Sequence, residues 1–297
     1  MPSIAEQALD WMEQIKHHQV TVVGEDIVDE YIYVRPAGKS AKDSLVTFVR
    51  NGCQQWVGGA GLIARHMESL GCDVVLHKSR QPVVKTRYVD PAFNQKLFSV
   101  CDRDGVDTME DEDERRLPGD HVLIADFGHS RGWLPVGPLE YQFISLMVQS
   151  NSLNWGFNLI TKYACADYIV CDEAELRLAT GDRYGNVIDV AEGLALRMKA
   201  KLVAVTLGHM GAIIGDLQGK NVWHTFPARA RKVVDRMGAG DAFLAASAPL
   251  AAMGAPAQVV GLVGSMAAGL HVEKEGNPPL CREELIQRLR ELDVPQT

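Results

Sequence analysis

Asp235-Arg236-Met237-Gly238-Ala239-Gly240-Asp241 stands directly ahead of a stretch, Ala242 to Leu270, that contains no charged residue. Small residues at a helix start let the backbone approach a ligand closely. The free amides and the positive end of the helix dipole there suit an anion. The carboxylate of Asp241 sits at the same point, where it can take a proton from an alcohol beside a bound phosphate or simply cap the helix. A membrane-spanning helix needs about 20 continuous apolar residues. Pro249, Gly254 and Pro256 divide the uncharged stretch, so it reads as two helices, Ala239–Met253 and Ala257–Val272, buried against a sheet.

Outward from this point, short β-rich runs alternate with helical patterns. Gln19–Gly24, Asp73–His77, His121–Ala125, Phe143–Val148, Tyr168–Cys171 and Leu202–Thr206 read as buried strands. Gly61–Leu70, Glu173–Ala179, Val187–Met198 and Glu283–Leu292 read as helices, and Ile4, Ala8, Trp11, Met12 and Ile15 as the apolar stripe of an N-terminal one. The alternation predicts an α/β fold with a doubly wound, mostly parallel sheet and helices on both faces, whose ligands lie at the carboxyl ends of the strands. Asp29–Val34 with Leu45–Arg50, and Val83–Val89 with Leu97–Cys101, lack intervening helices. They predict a small antiparallel flap over about 29–50 and 83–101, within one domain spanning 1–297.

With 297 residues, 46% of them hydrophobic, and a net charge of −8, the chain can bury a large core but lacks the basic excess that nucleic acid or anionic lipid attracts. A small-molecule ligand is expected. The six cysteines form no Cys-x-x-Cys pair and read as reduced thiols. Glu6, Asp10 and Glu13 interrupt the N-terminal apolar residues, so no signal or transit peptide is read there and a cytoplasmic location is expected.

Gly238-Ala239-Gly240-Asp241 with Asp235 upstream resembles the signature of the ribokinase-like (PfkB) carbohydrate kinases, Asp-Thr-x-Gly-Ala-Gly-Asp, with Met237 where a related pattern has Thr. Further segments agree in order, nearest to the heptose-phosphate kinase domain of ADP-heptose synthases. Val22 to Tyr31 resembles the first strand and turn, Gly58-Gly59-Ala60 the sugar-contacting helix start, and Lys85-Thr86-Arg87 the edge strand of the flap. Leu123 to Gly128 resembles a strand end, Asp172-Glu173-Ala174-Glu175 the Asn-x-x-Glu that organises magnesium, and Thr206-Leu207-Gly208 with Gly211 the nucleotide border. The resemblance implies ATP and Mg2+ as cofactors and a sugar or sugar phosphate as acceptor. Asp241 becomes the general base, with Gly238, Ala239 and Gly240 as the anion hole. Asp29, Gly58, Gly59, Lys85, Arg87 and Asp126 hold substrate, Asp172 and Glu175 organise metal, and Thr206, Gly208, Gly211 and Asn277 border the nucleotide. Two departures stand out: Leu62 replaces an acceptor-binding Asn, and the passage from Val75 to Val83 is short.

Gln149 to Asn158 follows an apolar run, and Asn151 and Asn154 can bind sugar hydroxyls or form an Asn-rich turn. Asp126, His129 and Arg131 can line the acceptor site or a solvated loop. Asp172 and Glu175 can serve a metal or stabilise a helix dipole. Gly38-Lys39-Ser40 lacks the earlier glycine of a Walker motif, since Tyr33 stands there. Gly59-x-Gly61-x-x-Ala64 lacks an acidic residue on the next strand, where His77-Lys78-Ser79 stand, so nicotinamide is not expected. The half-apolar flap positions Ile32, Val34, Val46, Phe48, Val84 and Leu97 predict a homodimer through the flap, which would act as a lid. The alternative to a catalytic kinase is a kinase-like fold kept as a sugar or nucleotide sensor or an assembly partner, which Leu62, Met237 and the short passage motivate.

Overall fold

The computed structural model describes residues 2–103, 119–130, 143–219 and 221–293. Its first half runs α1 (Ile4–Gln14), β1 (Gln19–Gly24), β2 (Asp26–Lys39), β3 (Val46–Gly58), α2 (Gly59–Leu70), β4 (Asp73–Lys78), β5 (Val83–Asp90), β6 (Gln95–Asp102) and β7 (His121–Asp126). There follow β8 (Phe143–Val148), β9 (Tyr168–Asp172), α3 (Glu173–Thr180), α4 (Val187–Arg197), β10 (Leu202–Thr206), β11 (Ala212–Asp216) and β12 (Val222–Phe226). Three helices close the chain: α5 (Ala239–Ala252), α6 (Ala257–Val272) and α7 (Arg282–Arg290).

The central sheet has eight strands in the order β12-β11-β10-β9-β8-β7-β1-β4. Strands β4 through β10 in that order pair in parallel, and β11 and β12 continue the sheet antiparallel. Successive residues of one strand serve opposite cores. Leu202 and Ala204 of β10 join the core with α1, α2, α5, α6 and α7, while Val203 and Val205 join the one with α3 and α4. This two-sided burial explains why the strands read as continuous apolar runs. The hairpin β11–β12 was not foreseen in the sequence. Its outer strand carries only exposed and half-buried residues up to the buried Phe226, the weak pattern of a sheet edge.

Helices α5 and α6 pack on each other, and α5 also packs on α2, β8 and β9. Nearly every residue of α5 and most of α6 are buried, which accounts for the absence of charge. No helix among the described residues is long and apolar enough to cross a membrane.

The second sheet has four strands in the order β3-β2-β5-β6. Both hairpins, β2–β3 and β5–β6, are antiparallel, and a parallel β2–β5 pairing joins them. The reason lies in the main sheet. Strands β1 and β4 are parallel neighbours there, and β2 and β5 are their outward continuations, so they leave in the same direction. Strand β3 does not end at Arg50 as expected but runs to Gly58, delivering the chain straight into α2. The short passage after β4 is a direct link to β5, fastened where Asp26 N donates to Ser79 Oγ (3.2 Å) and Lys78 pairs with Asp26 (2.8 Å).

Candidate active site

A cavity of about 370 Å3 opens between the carboxyl ends of the main strands and the small sheet. Asp29, Gly59, Lys85, Arg87, Asn151, Asp172, Glu175, Thr206, Asn277 and Gly238 through Asp241 all line it. These residues come from positions more than two hundred apart in the chain, joined by the crossovers of the fold.

The turn that starts α5 dictates one wall. Gly238 is the N-cap with φ +74, and no side chain caps the helix, so its first amides face outward unpaired. A Cβ on Gly238 would lie 2.5 Å from His271 Nε2. Only glycine fits. One turn into the helix, Asp241 is buried with its Oδ1 unpartnered. Burial pushes its carboxyl up to about 7, with Asp29 adding to the rise and Lys85 opposing it. Such a carboxylate has the basicity that proton abstraction near neutral pH requires.

Opposite stands the small sheet. Asp29 is held by an ion pair with Arg87 and by Asn277, whose Nδ2 donates to Asp29 Oδ2 (2.9 Å). Asn277, expected beside a nucleotide, lines the cavity and also braces this carboxylate. Burial lowers the Lys85 ammonium from its ordinary range. Gly58 does not line the cavity: it precedes α2 beside Asp29, where a Cβ would lie 2.5 Å from Asp29 Oδ2. Gly59 has φ +60 and a Cβ would meet Glu25 O at 2.4 Å, so the backbone is kept bare at the cavity wall. Asp235 latches the two halves together. Its carboxylate accepts from Tyr31 Oη (2.9 Å) and Lys96 Nζ (3.0 Å) of the small sheet and from Met237 N (3.2 Å).

Asp172 and Glu175 form a capping box at the start of α3. Glu175 N donates to Asp172 Oδ1 (2.7 Å) and Asp172 N to Glu175 Oε2 (2.9 Å), while Ser150 N donates to Glu175 Oε1 (3.0 Å). Burial, with Asp172 beside it, pushes Glu175 up to about 7. Among the described residues no group of three or more His, Cys, Asp or Glu could hold a metal unaided. The two carboxylates do line the cavity, and magnesium bound to phosphates takes only one or two protein carboxylates. Hard oxygen donors of this kind fit that ion.

Asp126 is placed elsewhere, outside the lining. Its carboxylate accepts from Tyr163 Oη (2.7 Å), Asn158 Nδ2 (3.0 Å) and Gly128 N (3.0 Å), and pairs with Lys162 (2.5 Å). Asn154 likewise turns inward, donating to Phe127 O (3.1 Å) and accepting from Asn151 N (2.8 Å). Asn151 donates to Phe127 O (2.8 Å) and still borders the cavity. His129 is buried and pushed down to about 3 by burial and by the nearby Lys85 and Arg103. Arg131 lies outside the described residues. Thr206 reaches the cavity, but Gly208 and Gly211 shape the turn behind it. Leu62 is fully buried on α2 and does not line the cavity.

Two residues were missed in the sequence. Glu25 is fully buried and accepts from Phe127 N (2.9 Å), His129 N (2.8 Å) and Ser130 N (3.1 Å), fixing the loop after β7. Its signal was an acidic residue directly after a buried strand. Arg236, inside the decisive motif itself, lines the cavity; a cation ahead of a helix start was the clue.

Residues 148–281 match the model of the pfkB family carbohydrate kinases. Among curated proteins it is similar to the bifunctional protein HldE of Bradyrhizobium diazoefficiens, 24% identical over 93% of this chain and 64% of that one. The chain thus spans less than two thirds of that relative's length. The HldE protein of Paramagnetospirillum magneticum gives the same identity over 95% of this chain and 65% of its own. Among solved structures, ribokinase from Thermotoga maritima aligns with a TM-score of 0.69 at 18% identity, covering 92% of this chain and 99% of that one. Arabidopsis thaliana ribokinase, complexed with ribose and ATP, aligns with a TM-score of 0.67 at 19% identity over the same shares. The fold is ribokinase-like.

Proposed function

We propose that the chain is an ATP-dependent kinase that transfers the γ-phosphate to a hydroxyl of a sugar or sugar phosphate, heptose phosphates being the first acceptors to test. The observation that carries this reading is the buried, unpartnered Asp241 Oδ1 facing the cavity beside the unpaired amides that start α5. Phosphoryl transfer asks little covalent chemistry of a protein; it asks for positioning and for charge stabilisation. Asp241 takes the acceptor proton. The amides at Gly238, Ala239 and Gly240 meet the charge on the group in transfer. Asp29, fixed between Arg87 and Asn277, accepts acceptor hydroxyls against the bare backbone at Gly59, with Lys85 alongside. Asn151 borders this site, whereas Asp126 and Asn154 act through the loop they hold. Asp172 and Glu175 orient magnesium, which would shield the phosphate charge when bound.

The small sheet acts in this reading as a lid and as the interface of a homodimer in the cytoplasm. Val34 is buried, but Val46, Val49, Phe98 and Val100 lie about half exposed, at 55, 45, 49 and 52%, and Leu97 is 37% exposed. A two-fold pairing of lids would cover them.

The test is ADP formation over a panel of hexoses, heptoses and their phosphates with magnesium, for the wild type and Asp241→Asn. Acceptor-dependent ADP from the wild type alone supports the reading. No turnover on any acceptor despite nucleotide binding would return the chain to the sensor class.

A further inference from the structure

Arg236 breaks a local electrostatic rule. It lies two residues before Gly238, the N-cap of α5, where the positive end of the helix dipole repels a cation. No hydrogen bond or ion pair holds its guanidinium among the described residues. Arg231, by contrast, pairs with Glu291, and Arg288 with Glu273 (2.5 Å). The Arg236 side chain is instead exposed at the mouth of the cavity that it lines. A local conflict left without compensation inside the chain marks a place where a ligand supplies it.

The charges lining the cavity divide by origin. The small sheet contributes Asp29, Lys85 and Arg87, and two of these already pair with each other. The main-sheet side contributes Asp172, Glu175 and Asp241, with Arg236 as its one cation among the described lining residues. A nucleotide polyphosphate brought to that wall meets three carboxylates. The helix amides and a single guanidinium must answer it. Two buried acceptors, Asp241 Oδ1 and Asn277 Oδ1, are also unpartnered at the cavity, so the site is shaped around groups the chain does not contain.

We infer that Arg236 binds the β-phosphoryl group of the donor nucleotide, its planar fork taking the non-bridging oxygens. The group in transfer must lie at the α5 amides, next to Asp241. Arg236 stands further out, at the mouth, and so reaches the next phosphate along. The inference rests on the kinase reading above.

Calorimetry with ADP and with AMP on the wild type, Arg236→Ala and Arg236→Lys tests it. The exposed position makes both variants compatible with folding, which circular dichroism checks. The wild type is expected to bind ADP more tightly than AMP. Arg236→Ala should weaken ADP roughly tenfold or more, the loss of one charge-assisted contact, and leave AMP within about twofold. Arg236→Lys, which keeps charge but not the fork, should fall between. Equal losses for ADP and AMP would overturn the assignment. So would unchanged ADP binding, or a loss confined to a phosphorylated sugar. A wild type that binds neither nucleotide would refute the kinase reading itself.

Discussion

Replacing Asp241 with Asn should do two opposite things: remove turnover and make the protein harder to melt in mild alkali. The carboxyl is buried, and burial raises it from 3.8 to about 7. A carboxyl raised in the folded state is a stability cost that grows with pH. Its contribution is intact below about pH 4, where both folded and unfolded forms are protonated. It is lost as pH rises to about 7. At roughly 1.4 kcal/mol per pH unit the ceiling is about 4 kcal/mol at pH 8 and roughly 1.5 kcal/mol at pH 5. For a chain of this size that corresponds to a melting-temperature gain for Asp241→Asn of about 8 °C at pH 8, shrinking to about 3 °C at pH 5. Turnover should fall about 10²–10⁴-fold, the usual loss for a positioned base. In the wild type, kcat/KM should fall about tenfold per pH unit below roughly pH 7, because the base must be ionised. Scanning calorimetry at the two pH values, paired with the ADP assay, reads both effects. Parallel melting curves with undiminished turnover would refute the placement of Asp241 as a buried, unpaired base.

Gly238→Ala forces a side chain into a φ of +74 and against His271 Nε2 at 2.5 Å, so a loss of about 1–3 kcal/mol in thermal unfolding is expected together with weakened nucleotide binding in calorimetry. Phe48→Asp, on a half-buried lid position, should convert a dimer to a monomer by light scattering and raise the acceptor KM more than the ATP KM; a mutant that stays dimeric counts against the lid interface. Asp126→Asn removes the buried carboxylate that pairs with the partly exposed Lys162, which keeps its bond to Asn158 Oδ1 (2.7 Å), and should cost roughly 2 kcal/mol in urea unfolding, with the acceptor KM little changed. A raised KM at unchanged stability would instead show direct contact with substrate.

Much of this site could be read one residue at a time. The turn from Gly238 to Asp241 stood out because small residues ahead of an apolar helix leave its first amides bare, and both features are local. Asp29, Lys85 and Arg87 were legible only through resemblance, since nothing in their own spacing sets them against α5. Asp126 shows the limit. A carboxylate at a strand's end reads the same whether it faces a cavity or a neighbouring loop, and Tyr163, Asn158 and Lys162 close around it only after the chain has folded.

The sequence by itself determined the alternating strand and helix pattern, the two buried uncharged helices and the glycine turn between Asp235 and Asp241, because each depends on side-chain periodicity or on backbone freedom at a few adjacent residues. Tertiary structure alone decided that β2 and β5 pair in parallel, that Asn277 braces Asp29, and that Asp235 ties Tyr31 and Lys96 to the turn before α5. Those contacts join residues as many as 248 positions apart. Their geometry is fixed by how the main sheet orders its strands, which no local pattern of residues encodes.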